Sequence, residues 1–200
     1  MSDLSQILDK SRIAALEKEK YERMWRPGFY RGNVERNVAQ ADFFIDQVSM
    51  KKGSSVFDIG CGAGHAARRF VERGMRVLCT DIACNTLPKA NEDLPFLRCA
   101  IWELPCDIRI DYGFCNDVME HIPPELVGTT LQMIRRSVSK EVYFEISLRA
   151  DRCGALIDET LHLTVRPIEW WVAALQSHWR HVQTIAANEV QQSVDLLAIP

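Results

Sequence analysis

The residues able to do chemistry fall into three groups along the chain. The first is Asp58 followed by Gly60, Gly62 and Gly64, with Cys61 between the first two glycines. Glycines at this spacing let a backbone turn sharply and let a ligand approach the peptide groups without Cβ atoms in the way. A helix that starts there also offers its free N–H groups. The second group is Asp81 with Ile82. A carboxylate in that place can accept both hydroxyl protons of a ribose, each charged hydrogen bond contributing about 1.5–3 kcal/mol. The third is the run Asn116-Asp117-Val118-Met119-Glu120-His121, with a further histidine at His162. An imidazole is the side chain that takes a proton near neutral pH without a large shift, so His121 is a candidate catalytic group. His121 also has a structural reading, as a hydrogen-bonded anchor of its loop. Together the three groups point to a nucleoside-bearing cofactor held beside a proton-accepting centre.

Those residues need particular elements to bring them together. Val56, Phe57 and Ile59 are apolar and partly β-branched, as a buried parallel strand requires, and Ala66, Ala67 and Phe70 follow at helical spacing. The glycine triplet sits at this strand-to-helix join. Gly74 ends the helix, and 75–80 read as a second strand that delivers Asp81. A third strand is expected over 95–101. A fourth spans 112–116, a helix 124–138 and a fifth strand 141–148, and 179–185 and 194–199 close the sheet as a hairpin. Before this core, residues 1–50 read as a helical cap. Leu4, Ile7, Leu8, Ile13 and Leu16 form one apolar face, Pro27-Gly28 breaks the run, and a second helix covers about 33–48. Trp25, Phe29 and Tyr30 either dock this cap or touch substrate. The fold expected is α/β, a Rossmann-like doubly wound sheet of about seven strands with the last antiparallel. It divides into a cap (1–50) and a core (51–200).

Spacing separates two kinds of nucleoside cofactor. The dinucleotide fingerprint sets its third glycine three residues after the second, whereas Gly64 follows Gly62 by two. An acid at the strand end also suits a cationic ligand better than a pyrophosphate. The pattern Asp58-x-Gly60-x-Gly62-x-Gly64 with Asp117-Val118-x-Glu120-His121-Ile122 resembles the class I S-adenosylmethionine-dependent methyltransferases, in their small-molecule branch. The resemblance implies methyl transfer from S-adenosylmethionine, leaving S-adenosylhomocysteine, to an oxygen or nitrogen of a small acceptor. It implies a cofactor site of Asp58, Gly60, Cys61, Gly62, Gly64, Asp81, Ile82, Ala100, Ile101, Trp102 and Asn116, with no metal required. One position departs from the family pattern. Cys99 stands where an acid commonly bonds the adenine amine, so the backbone at Ala100 and Ile101 must recognise the base, with Trp102 either lying over it or part of the core. The segment His162-x-Thr164 followed by Pro167-x-Glu169-Trp170-Trp171 is similar to one group of small methyltransferases linked to sugar and glycan modification. The resemblance implies that His162 faces the acceptor as a base or orienting donor, a second candidate catalytic group beside His121, while Trp171 reads as a helix anchor.

Composition narrows the remaining classes. With 200 residues and a net charge of −3, the chain lacks the overall basic field that nucleic acid calls for. The N/D-P-P-Y/F tetrad that grips an exocyclic amine is also absent, so nucleic acid is not the expected partner. No run is long and apolar enough for a membrane, and no signal-peptide pattern opens the chain, which suggests a cytoplasmic protein. The seven cysteines (61, 79, 84, 99, 106, 115 and 153) form no C-x-x-C pair and read as reduced thiols. Two other functions share the glycine turn and ribose acid: a nicotinamide-dependent oxidoreductase, and a cofactor-binding subunit without activity of its own. The acceptor and the oligomeric state are not legible.

Overall fold

The computed structural model describes residues 3–26, 32–190 and 192–200, with backbone alone for 3–8. The expected break at Pro27-Gly28, the aromatic pair Phe29 and Tyr30, and the side chains of Leu4, Ile7 and Leu8 lie outside the described residues. A seven-stranded sheet organises the rest, in the order β3-β2-β1-β4-β5-β7-β6. Strands β1 (Ser55–Ile59), β2 (Arg76–Asp81), β3 (Phe96–Arg98), β4 (Tyr112–Asn116) and β5 (Val142–Ser147) are parallel. The closing hairpin, β6 (His181–Asn188) and β7 (Ser193–Ile199), sets β7 antiparallel to β5. The order of the strands reverses between β1 and β4, and in open parallel sheets ligands bind in the crevice at such a point.

Alternating side chains split the apolar residues between the two faces of the sheet. Val56, Phe114 and Tyr143 pack with Phe44 of α2 (Val34–Gln47) and Phe70 of α3 (His65–Glu72) on one side. Phe57, Cys115, Phe144 and Ile146 pack on the other, with Leu131 and Ile134 of α4 (Val127–Ser137) and Trp171 of α5 (Ile168–Gln176). Trp171 is fully buried and anchors its helix, as the sequence indicates. The long first helix, α1 (Asp3–Met24), reaches the second face through Ile13 and Ala14. Asn33 caps α2, its side-chain oxygen accepting the Arg36 N–H at 3.0 Å.

One element is shorter than the sequence suggests. The third strand ends at Arg98 rather than continuing to Ile101, because its only neighbour, β2, ends opposite it at Asp81. The chain then turns into a short 3-10 segment, Ile101–Glu103, which drives Ile101, Trp102 and Leu104 into the core.

Candidate active site

The parallel strands all end on the same side of the sheet, and there a cavity of about 590 Å³ opens across β2, β1, β4 and β5. Its floor is the chain that leaves those strands. At one end lie Gly60, Cys61, Gly62, Asp81 and Ile82, with Ala100, Ile101 and Trp102 beside them. Asn116 and Asp117 stand in the middle, and Glu145, Ser147, His121, His162 and Ser193 form the other end. Ser147 and Ser193 are register partners of β5 and β7, so the antiparallel return brings the start of β7 into the site. Residues of α1 and the start of α2, including Tyr21, Trp25 and Arg36, cover the cavity.

The glycine turn is built for close approach. Gly62 has φ of +51°, and a Cβ there would meet the Trp25 ring at 3.0 Å. Trp25 is itself buried, so bare backbone is what allows the α1 lid to close over this turn. Asp81 ties the turn to β2: its Oδ2 accepts the Gly62 N–H and its Oδ1 the Ala83 N–H, each at 3.0 Å. Burial pushes the Asp81 carboxyl up to about 6, against the pull of those backbone donors. It is therefore ionised near neutral pH with lone pairs left for a ligand. Asn91 locks the turn from behind, its amide donating to the Ala63 carbonyl at 2.7 Å while its oxygen accepts from Arg68 at 3.0 Å. Nothing in the sequence marks Asn91, because its partners come together only in the folded chain.

Two expected positions stand back from the cavity. Asp58 does not line it; its carboxylate is buried under the turn, accepts the Ala67 N–H of α3, and burial pushes it up to about 7. It pins α3 to β1 from behind the cavity wall. Gly64 is the left-handed residue before α3, packed against Leu87 and Leu94, so it shapes the turn without touching the cavity. Trp102 lines the cavity and also belongs to the core. Cys99 does not line the cavity and lies 3.6 Å from the Thr80 hydroxyl.

The far end is assembled from residues 40 positions apart. Thr164 donates its N–H to the Glu120 carbonyl at 2.8 Å and its hydroxyl to the Ile122 carbonyl at 2.6 Å. This stitching brings the His162 ring to a centroid distance of 4.7 Å from His121, edge to face. His162 Nδ1 lies 2.7 Å from the Arg149 carbonyl. A carbonyl only accepts, so the hydrogen sits on Nδ1, and in the neutral ring Nε2 carries the lone pair. His121 is more enclosed: its Nδ1 faces the Tyr21 hydroxyl at 2.8 Å and the Leu161 carbonyl at 3.1 Å. Burial lowers it to about 4, so it is neutral and anchors α1 to the loop. Glu145 is also buried and pushed up to about 7 by burial, with Arg36 at 2.5 Å.

The comparisons with known proteins agree with this architecture. A model of the methyltransferase domain family matches residues 24–194, and the chain belongs to that family, the class I methyltransferases in fold. Among curated relatives, a trans-aconitate 2-methyltransferase from Rhodopseudomonas palustris is 27% identical over 190 residues, 88% of this chain and 64% of that protein. The chain thus spans about two thirds of that relative's length. Among solved structures, a SAM-dependent methyltransferase from Archaeoglobus fulgidus superposes with a TM-score of 0.68 at 16% identity, covering 86% of this chain and 96% of that one. A 1,6-didemethyltoxoflavin-N1-methyltransferase from Burkholderia thailandensis, with bound S-adenosylhomocysteine, gives a TM-score of 0.61 at 16% identity over 98% of this chain and 88% of its own.

Proposed function

We propose that this protein transfers the methyl group of S-adenosylmethionine to an oxygen of a small polar acceptor, of the hydroxyl-bearing, sugar-like kind. The observation that carries the reading is the two-ended cavity. A glycine turn tied to an ionised Asp81 lies at one end, and His162, with an uncommitted Nε2, lies at the other. A nucleoside fits the first end, with the ribose hydroxyls donating to Asp81 and the base lying along Ala100, Ile101 and Trp102. The sulfonium then lies near Asn116, between the ends.

The sulfonium methyl is already activated by its charge, so the protein's part is to align the acceptor, exclude water and place one proton. The acceptor oxygen forms the O–CH3 bond as the C–S bond breaks, and that electron pair neutralises the sulfur. The hydroxyl proton goes toward His162. The α1 lid, with Trp25 over the turn and Tyr21 on His121, keeps water from the reacting atoms.

The test is release of S-adenosylhomocysteine across a panel of hydroxylated sugars and polycarboxylates, with the His162→Ala variant beside the native chain. For a hydroxyl acceptor the variant loses at least about tenfold in turnover, since general base catalysis contributes typically 10²–10⁴-fold, and its cofactor affinity is kept. A carboxylate acceptor, the kind methylated by the trans-aconitate relative, is already anionic. Turnover undiminished by the substitution rules out the hydroxyl reading.

A further inference from the structure

The corner that holds His162 contains more than a base requires. One donor atom from each of Glu120, His121 and His162 lies within 4.8 Å of the other two. We propose that these three residues form a binding site for a divalent first-row transition-metal ion. The inference deepens the preceding reading, from which it takes only the place of the acceptor.

Three independent features support the site. Glu120 is fully buried, with Oε1 accepting the Ser147 N–H at 2.9 Å and Oε2 meeting the Asp117 carboxyl, with no N–H or hydroxyl donor of the chain on it. Two acids side by side without a donor between them are a costly arrangement, and a cation resolves it. Each histidine is also arranged as metal-ligating histidines are, with one ring nitrogen turned to a backbone carbonyl so that the other presents its lone pair. His162 uses the Arg149 carbonyl in this way; His121 Nδ1 lies 3.1 Å from the Leu161 carbonyl and 2.8 Å from the Tyr21 hydroxyl, which accepts when Nδ1 carries the hydrogen. The donor spacing is the third feature. Ligands at about 2.0–2.1 Å from a tetrahedral ion lie about 3.3 Å apart, so the present spread closes with a shift of about an ångström or more. The shift falls to the loop carrying His162, which is held by side-chain and backbone bonds at Asp151 and Thr164 and not within a strand or α-helix.

The donor chemistry selects the ion. Two imidazoles and one carboxylate suit zinc, cobalt or iron(II) better than magnesium or calcium, which prefer oxygen donors alone. Three protein ligands leave coordination positions open, and His121 and His162 line the cavity. A hydroxyl bound to such an ion would be made more acidic, so the ligand class is an acceptor with an oxygen donor. In this arrangement the His162 lone pair goes to the ion, so the ion takes the place of the His162 base of the preceding reading.

The test is a Co2+ titration of the full chain after chelator treatment, followed by visible and near-ultraviolet absorption. The expected result is one equivalent bound with d–d bands, without the thiolate charge-transfer band that a cysteine site gives, and displaced by Zn2+. The His162→Ala and Glu120→Gln variants bind at least tenfold more weakly. Glu120 is buried, so retained S-adenosylhomocysteine binding by calorimetry serves as the folding control for its variant. Half-exposed His162 supplies a second variant that does not depend on that control. Absence of binding, a thiolate signature, or affinity unchanged in His162→Ala overturns the site. Calorimetry keeps the two readings apart: a chain that binds S-adenosylhomocysteine but no metal loses only this inference, whereas one that binds metal but no S-adenosylhomocysteine loses the methyltransferase reading.

Discussion

Asp81 works in two directions at once. Its oxygens hold the glycine turn through the Gly62 and Ala83 N–H groups, and the lone pairs that remain face the cavity. Because burial raises it to about 6, the free protein carries a carboxylate at pH 7 and a protonated acid at pH 5. A ligand whose hydroxyls donate to Asp81 needs the charged form. S-adenosylmethionine affinity therefore falls as pH drops below about 6, by up to tenfold per unit. Asp81→Asn removes that dependence between pH 5 and 7, and Asp81→Ala weakens binding at pH 7 at least about tenfold, the loss of one charged hydrogen bond. Calorimetry at several pH values checks both, and a flat native profile removes the ribose assignment. At this scale, Asp81 and the glycines are legible because each is demanded by local backbone geometry and strand order. Asp58 is misread for the converse reason: its position in the motif shows, but its burial and its Ala67 partner depend on how α3 packs.

The segment from Arg149 to Thr164 shows what an element without periodicity can do. A sequence reading finds only a long connection rich in polar residues, since nothing repeats at 2.0 or 3.6 residues. The structure is organised from one side chain. Asp151 accepts the N–H groups of Cys153, Gly154 and Leu161, folding the loop around its carboxylate. Lys20 and Arg23 of α1 bond the Thr160 and Ile157 carbonyls, so the lid and the loop hold each other. Gly154 sits where a Cβ would lie 2.1 Å from the Glu159 carbonyl oxygen. Gly154→Ala accordingly unlatches the loop while leaving the sheet intact. Trypsin then cleaves at Arg149 and Arg152 several-fold faster, and turnover falls. S-adenosylhomocysteine affinity stays within about threefold, because the nucleoside end is built from other elements. Equal proteolysis rates for the two proteins refute this account of the loop.

Across the whole molecule, the succession of strands along the chain was readable because each parallel strand is a short apolar run ending in a glycine or a polar group. The helical cap was readable too, but its contacts with the turn and the loop were not, since they join residues far apart in sequence. The same sheet buries a carboxyl whose cost reaches the stability of the entire chain. Asp58 is pushed up to about 7 from an ordinary value near 3.8, with desolvation as the main cause. The folded state then binds this proton more tightly than the unfolded chain, so between about pH 4 and 7 it holds more of it. Stability from this group is present at low pH and is lost as pH rises, at up to about 1.4 kcal/mol per unit, levelling off above pH 7. Asp58→Asn keeps an oxygen for the Ala67 N–H without the charge. Urea unfolding at pH 4.5, 6 and 8 is expected to show the variant gaining on the native chain at each step, from near parity at the lowest pH. Comparing the two proteins cancels every other titrating group. Parallel stability curves mean that Asp58 is not charged at the expense of the fold, and that the acid beneath the glycine turn is solvated by something other than Ala67.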